Sequence, residues 1–202
     1  MNKSVEVVLF DLGGVLVELG EGPIPSEWLP NNDRFNLTDW FSSETAILFE
    51  KGLICAQTFA ETFRNDLKIE ASPENILKHF TEWPIGLFPG AQELLENLES
   101  KYRLAVLSNT NELHWPRIIE EFNVENYFEQ IFASHQMKMV KPDLVIFQDV
   151  ISKLKVEPEK ILFLDDNLRN IEASKKLGIN GHHVKGFKQT CQILANMGVI
   201  DA

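Results

Sequence analysis

Asp11 closes the run VEVVLFD (5–11) and is followed at once by Leu12, Gly13 and Gly14. A continuous stretch of β-branched and aromatic residues suits a strand buried on both faces. A carboxylate at the end of such a strand is desolvated on one side and sits where open α/β sheets bind ligands. The glycines permit a sharp turn that brings backbone N–H groups close to an anion. Three later segments carry polar groups at equivalent places. Ser108-Asn109-Thr110 ends RLAVLSN (103–109), Lys141 precedes Pro142, and Asp165-Asp166 ends KILFLDD (160–166). Together these residue types suit phosphoryl transfer. A carboxylate can attack phosphorus and hold it as an aspartyl phosphate, but its charge repels the phosphate unless a cation intervenes. Magnesium takes carboxylate oxygens and bridges to phosphate. Asp11 and Asp166 are expected to hold it directly, Asp165 through a ligand water, with the Gly13 carbonyl as a further oxygen. Ser108 and the N–H of Asn109 are placed to bind phosphoryl oxygens, and Lys141 to neutralise both phosphate and Asp11.

Each of these features has a plainer reading when taken singly. A strand-end Asp can cap a turn, an acidic pair can favour a helix start, and a lysine before a helix can be solvated. What sets them apart is that all fall at one edge of the expected fold. Strands alternate with helical segments: RLAVLSN is followed by a helix around 112–122, QIFAS (130–134) by a helix from about 142 to 155, and KILFLDD by NIEASKKLG, with NGHHVK (180–185) as a last strand. Such alternation predicts an α/β fold, a doubly wound parallel sheet with helices on both faces. In the usual strand order 3-2-1-4-5, the first and fourth strands lie side by side and their carboxyl ends flank the crevice where the order reverses. Asp11 and Asp165-Asp166 then face each other there. In the 142–155 helix, Ile146, Phe147, Val150, Ile151 and Leu154 form one apolar stripe, which reads as core.

The segment between the first strand and residue 88 has another texture. Residues 18–37 are rich in Gly, Pro, Asn and Asp and read as an irregular linker. Residues 38–83 read as helical: Thr38 is placed to cap a helix that Gly52 ends, Phe59 and Phe63 lie one turn apart, and Ser72-Pro73 opens a helix through Trp83. The expected division is an α/β core of residues 1–17 and 88–202 with a helical cap, 18–87, inserted after the first strand. The two chain crossings, near 16–20 and 84–89, read as hinges.

The 202 residues carry a formal net charge of −11, which disfavours nucleic-acid and anionic membrane partners by repulsion. A small anionic substrate is compatible with it, since the local field there comes from metal and loop amides. The chain starts MNKSVEVVLFD with no cleavage pattern of a signal peptide, and no apolar stretch is long enough to span a membrane. Cys55 and Cys191 lie far apart, as suits a reducing compartment. A cytoplasmic protein is expected.

In order along the whole chain, FDLGGVL, LSNTN, Lys141-Pro142 and FLDDNLRNI resemble the four motifs of the haloacid dehalogenase-like hydrolase superfamily. EKGLICAQTF (50–59) is similar to the E-x-G-x-I-(S/T)-x-x-x-F pattern of its helical cap, with Cys55 where relatives place a capping Ser, so a weaker helix cap is expected. SNTNELH (108–114) is particularly similar to the α-D-glucose-1-phosphate phosphatases, and the phosphatase domain of soluble epoxide hydrolases resembles the chain as well. The resemblance implies a Mg²⁺-dependent phosphatase of a small phosphorylated metabolite, possibly a sugar phosphate. It implies Asp11 as nucleophile and metal ligand, Gly13 as carbonyl ligand, Ser108, Asn109 and Lys141 on the phosphate, Asp166 on the metal and Asp165 in its outer shell. Asn170 would order that loop.

One position departs from the pattern. Most phosphatases of this superfamily have D-x-D in the first motif, the second Asp serving as general acid and base; here it is Gly13, as in the D-x-G of the glucose-1-phosphate phosphatases. The departure predicts a weakened enzyme that prefers anomeric and aryl phosphates to alkyl ones, with water or a cap residue supplying part of the proton transfer. It also leaves open a catalytically weak or inactive binding protein. A 2-haloacid dehalogenase is the less favoured alternative, because those enzymes resemble one another in S-S-N-x-x-D where this chain has DDNLRN. Of His182-His183 in the last strand one is expected to face solvent and the other the covering helices, without a metal role, and His114 near the second motif either reaches a substrate or packs at a helix start.

Overall fold

The computed structural model describes residues 5–29 and 42–201. Its centre is a parallel sheet of five strands, formed where the apolar runs are longest. Strands β1 (Val7–Phe10), β4 (Arg103–Ser108), β5 (Gln130–Ala133), β6 (Ile161–Asp165) and β7 (Asn180–His183) lie in the order β5-β4-β1-β6-β7. This is the 3-2-1-4-5 winding. Central β1 pairs with β4 and β6 in parallel, Phe10 opposite both Val106 and Leu164. All four residues of β1 and all five of β6 are buried, which explains why both segments lack polar alternation.

Alternate residues of these strands feed two apolar layers. Val8, Phe10, Val106 and Leu164 face one layer, closed by helix Ala91–Glu99 and the C-terminal helix Phe187–Asn196. Val7, Leu9, Leu107 and Phe163 face the other, closed by helices Leu144–Leu154 and Leu168–Lys176. The apolar stripe of the 144–154 helix is where expected: Ile146, Phe147, Val150 and Leu154 are buried and Ile151 partly so. The segment expected as a helix around 112–122 is helical with a wider turn at Arg117–Glu121, where the Phe122 N–H reaches the Arg117 carbonyl at 2.9 Å.

Among the described residues three α-helices form the cap: α1 (Glu44–Glu50), α2 (Ala56–Asp66) and α3 (Pro73–Glu82). They enclose a separate aromatic core in which Phe49 and Phe59 stack at 4.3 Å and Phe59 meets Phe80 at 4.9 Å. Ser72 caps α3 by accepting the Asn75 N–H, with Pro73 in its first turn. Helix α1 is capped by Ser43, which accepts the Ala46 N–H; Thr38, the cap expected from the sequence, lies outside the described residues. Cys55 makes no capping bond to α2. The Ala56 N–H is instead satisfied by Glu112 Oε1 of the core at 2.8 Å.

The crossings between cap and core hold strands that the sequence does not suggest. β2 (Val17–Leu19) and β3 (Pro84–Leu87) pair antiparallel, with a register shift between Glu18 and Leu19. Gly20 N–H to Trp83 O and Phe88 N–H to Leu16 O, both 2.9 Å, extend the ribbon at its two ends. The two expected hinges are therefore one hydrogen-bonded pair. Among the described residues no helix is long and apolar enough to cross a membrane.

Candidate active site

Parallel strands align their carboxyl ends, so the polar residues that end β1, β4 and β6 meet at one edge. Asp11, Ser108, Asn109 and Asp166 line a cleft of about 1020 Å³ between sheet and cap, together with Lys141 and Glu50. Asp11 is buried just beyond β1. Its N–H donates to Leu164 O at 2.9 Å, its Oδ1 accepts the Leu12 N–H at 2.7 Å, and its Oδ2 lies 2.9 Å from Lys141 Nζ. Asp165, wholly buried, holds the same ammonium at 2.6 Å, and the third partner of Lys141 Nζ is the Leu107 carbonyl at 2.9 Å.

Lys141 is thus the buried counter-ion of two carboxylates. Burial alone would discharge it; the pull of Asp11 and Asp165 outweighs that cost and raises its pKa above the ordinary lysine value. The oxygens of Asp165 are further engaged by the Asn167 N–H (2.7 Å) and by Asn170 Nδ2, 3.0 Å from each. Asp165 therefore serves Lys141 and its own loop, and Asn170 orders that loop as expected.

The carboxylates of Asp11, Asp165 and Asp166 offer oxygens that all lie within 4.8 Å of one another. Burial pushes Asp11 up to about 6 against the pull of Lys141, with the charge of Asp165 adding to the rise. Asp166 opens toward the cleft, yet the walls strip enough water from it that desolvation, then the charge of Asp11, raise it to about 6. Crowded oxygen donors, of which burial holds Asp11 and Asp166 back from ionisation, are matched to a small hard cation. Its approach is shaped by Gly14, which has φ +68°; a Cβ there would stand 2.7 Å from Asp166 Oδ2. At Gly13 a Cβ would meet Leu19 Cδ1 at 3.3 Å.

Ser108 is buried at the end of β4. The Asn109 side chain is taken up by protein groups: its Oδ1 accepts the Lys141 N–H at 2.9 Å and its Nδ2 donates to Lys141 O at 3.0 Å and to Glu50 Oε2 at 3.1 Å. Only the backbone of Asn109 remains for an anion. Next to it, the Ser134 hydroxyl accepts the Thr110 N–H and donates to the Thr110 carbonyl, tying this turn to the end of β5.

Two residues stand differently from the sequence reading. Glu50, at the end of α1, enters the cleft from the cap, and burial pushes its carboxyl up to about 8 despite Lys141, with Asp11 reinforcing the rise. Its place at the head of the E-x-G-x-I stretch was the available signal. His183, expected to have no part in the site, lines the cleft, and its Nε2 lies 2.8 Å from the Asp166 carbonyl. His114 does pack: it is buried between Asn111 (3.2 Å) and Phe80 O (2.7 Å), stacks on the Phe80 ring, and burial lowers it to about 4.

A sheet wound this way, with its acidic edge under a helical cap, defines a class of hydrolase. The chain belongs to the haloacid dehalogenase-like hydrolase family, whose profile matches residues 8–184. Among curated proteins it is similar to a phosphoglycolate phosphatase of Aquifex aeolicus, 29% identical over 185 residues (86% of this chain, 82% of that one). It is also similar to a phosphorylated carbohydrates phosphatase of Thermotoga maritima, 32% identical over 121 residues, 56% of either chain. Among solved structures, a haloacid dehalogenase family enzyme of Bacteroides thetaiotaomicron, crystallised with magnesium and inorganic phosphate, superposes with a TM-score of 0.75. The two are 28% identical, with 91% of this chain and 96% of that one covered.

Proposed function

We propose that the protein is a magnesium-dependent phosphatase of a small phosphorylated metabolite, a sugar phosphate being the favoured class, and that Asp11 is its nucleophile. The observation that carries this reading is the buried triad of Asp11, Lys141 and Asp165 beside Asp166. Three carboxylates whose oxygens lie within 4.8 Å of one another have one buried ammonium beside them, paired with Asp11 and Asp165, so the ionised set lacks two positive charges, which a divalent cation would supply. The similarity to named phosphatases points the same way.

In this reading Asp11 and Asp166, with the Gly13 carbonyl, would hold Mg²⁺, and Asp165 would act from its outer shell. The metal, when bound, neutralises phosphoryl charge and screens it from Asp11. Ser108 Oγ and the Asn109 N–H orient the phosphoryl oxygens. Lys141 keeps Asp11 ionised and aimed through its 2.9 Å contact, and adds positive charge as negative charge builds on the phosphoryl group. Asp11 attacks phosphorus, the alcohol departs on the opposite side, and water then hydrolyses the aspartyl phosphate. The cap, residues 18–87, covers the cleft and excludes bulk water, moving about the β2–β3 ribbon.

A screen of phosphorylated metabolites with and without magnesium, with Asp11→Asn as the blank, tests the reading. Metal-dependent phosphate release by the wild type alone is expected. Full turnover after exhaustive chelation overturns it, and absence of turnover on every ester favours a binding protein that keeps the fold.

A further inference from the structure

The core has no proton donor where D-x-D phosphatases carry one. Position 13 is glycine, where a Cβ would stand 3.3 Å from Leu19 Cδ1. The cleft nevertheless holds one carboxyl suited to that task. Attack and departure at phosphorus are roughly in line, so a leaving oxygen opposite Asp11 points away from the sheet and toward the cap. Glu50 stands in that wall, at the last turn of α1. Its position is fixed: Asn109 Nδ2 donates to Oε2 at 3.1 Å, and the Asn109 amide is itself locked to the main chain of Lys141 on both of its atoms. Next along the chain, Lys51 pairs with Asp143 of the core at 3.4 Å, which seats this end of α1 over the cleft. The bond to Oε2 leaves Oε1 to carry a proton.

We propose that Glu50 is the general acid and base of the reaction, supplied from the cap in place of the missing second aspartate; the proposal rests on the phosphatase reading above. As the Asp11–phosphorus bond forms and the ester P–O bond breaks, the Glu50 proton passes to the departing oxygen and a neutral alcohol leaves. Glu50, now a carboxylate, takes a proton from the water that attacks the aspartyl phosphate. The bond from phosphorus to Asp11 breaks, phosphate leaves, and Asp11 carboxylate and protonated Glu50 are restored. Desolvation keeps Glu50 protonated near neutrality, the form the first step needs. Asn109 is then a positioning residue for Glu50, which accounts for a side chain turned to protein groups. The acid is in place only when the cap is seated, so the cap would couple water exclusion to proton donation. The preference for aryl esters that Gly13 alone implies loses its ground.

The test compares para-nitrophenyl phosphate, whose leaving group needs little protonation, with para-nitrobenzyl phosphate, which has similar size and an alkoxide leaving group. Both are assayed with magnesium in the full-length wild type and in Glu50→Gln, which keeps the side-chain volume and an acceptor for Asn109. In the wild type the two esters are expected to react at similar kcat/KM. In Glu50→Gln the kcat/KM of the benzyl ester, which reports steps through the first P–O cleavage, should fall by roughly 10²- to 10⁴-fold, the span a positioned general acid supplies, and that of the aryl ester far less, while kcat falls on both because hydrolysis of the aspartyl phosphate loses its base. Thermal unfolding of the variant, expected within a few degrees of wild type, reports independently that it folds. Equal loss of kcat/KM on both esters, or no loss on either, overturns the proposal, as does a steep preference of the wild type for the aryl ester. Wild-type protein inert toward both esters overturns the phosphatase reading itself, whereas Asp11-dependent activity with a uniform Glu50→Gln response overturns this inference alone.

Discussion

Asp11→Asn should abolish turnover and, in the metal-free protein, reverse its effect on stability between acid and mildly alkaline pH. Asp11 has a folded pKa of about 6, raised from 3.8. A carboxyl whose folded pKa is raised contributes stability below the unfolded value, and that contribution is lost as pH climbs through about 4 to 6. The shift of about two units costs the charged form about 3 kcal/mol at pH 7 and above. Asparagine removes this cost. It also loses something, because one carboxamide cannot accept from both Lys141 Nζ and the Leu12 N–H, which Asp11 meets at 2.9 and 2.7 Å. The mismatch of donors costs roughly 1–2 kcal/mol. The balance at pH 8 is a gain of about 1–2 kcal/mol, which for a chain of this size raises Tm by roughly 2–8 °C. At pH 4 the wild-type carboxyl is already protonated, so only the mismatch remains and the variant should be equal or less stable. Thermal unfolding of both proteins in chelator at the two pH values reads this directly. Magnesium should restore the wild-type advantage, by about 2.7 kcal/mol at a hundredfold excess over Kd. A variant less stable than wild type at pH 8 in chelator, or a difference that ignores pH, would refute the argument.

Other substitutions probe the supports of the site. Gly14→Ala places a methyl 2.7 Å from Asp166 Oδ2 at a φ of +68°; a stability loss of about 1–2 kcal/mol and weaker magnesium binding by isothermal titration are expected, and unchanged metal affinity would contradict the metal role of Asp166. Lys141→Met strands two buried carboxylates and should cost about 3–5 kcal/mol in denaturant unfolding, a value that wild-type-like stability would overturn. Glu112→Ala frees the Ala56 N–H at the start of α2; about 1 kcal/mol of lost capping should appear as faster hydrogen exchange in α2, and unchanged exchange would show that the core does not latch the cap this way. His114, held near 4 by burial, should stay neutral by NMR at pH 5, since protonation there would mean that its contacts to Asn111 and Phe80 open.

The strand order and the convergence at the sheet edge were legible because both depend on local patterns. Fully apolar runs mark buried strands, and parallel winding then brings their carboxyl ends together. The cap helix at Ser72-Pro73 was equally legible from its capping pair. The β2–β3 ribbon was not, since Val17–Leu19 is three residues long and Pro84–Leu87 contains Pro and Gly, which propensity assigns to turns. The C-terminal helix Phe187–Asn196, outside the elements expected from the sequence, supplies one wall of the core. Glu50 was overlooked as a site residue for a different reason: its bond to Asn109 spans 59 residues and exists only when the cap is seated. The same holds for Glu112, which supplies from the core the acceptor that Cys55 lacks. That Asp165 belongs chiefly to Lys141 and Asn170 required distances, because its neighbour Asp166 is chemically identical.

Covalent capture of phosphate on Asp11 distinguishes a phosphatase from a binding protein most directly. Wild-type protein mixed with magnesium and a turned-over phosphate ester, quenched in acid during the burst and digested, should yield a phosphoryl group on the peptide that contains Asp11, and Asp11→Asn should yield none. Turnover without any phosphorylated aspartate, or incorporation that persists in Asp11→Asn, would contradict the role of Asp11 as nucleophile.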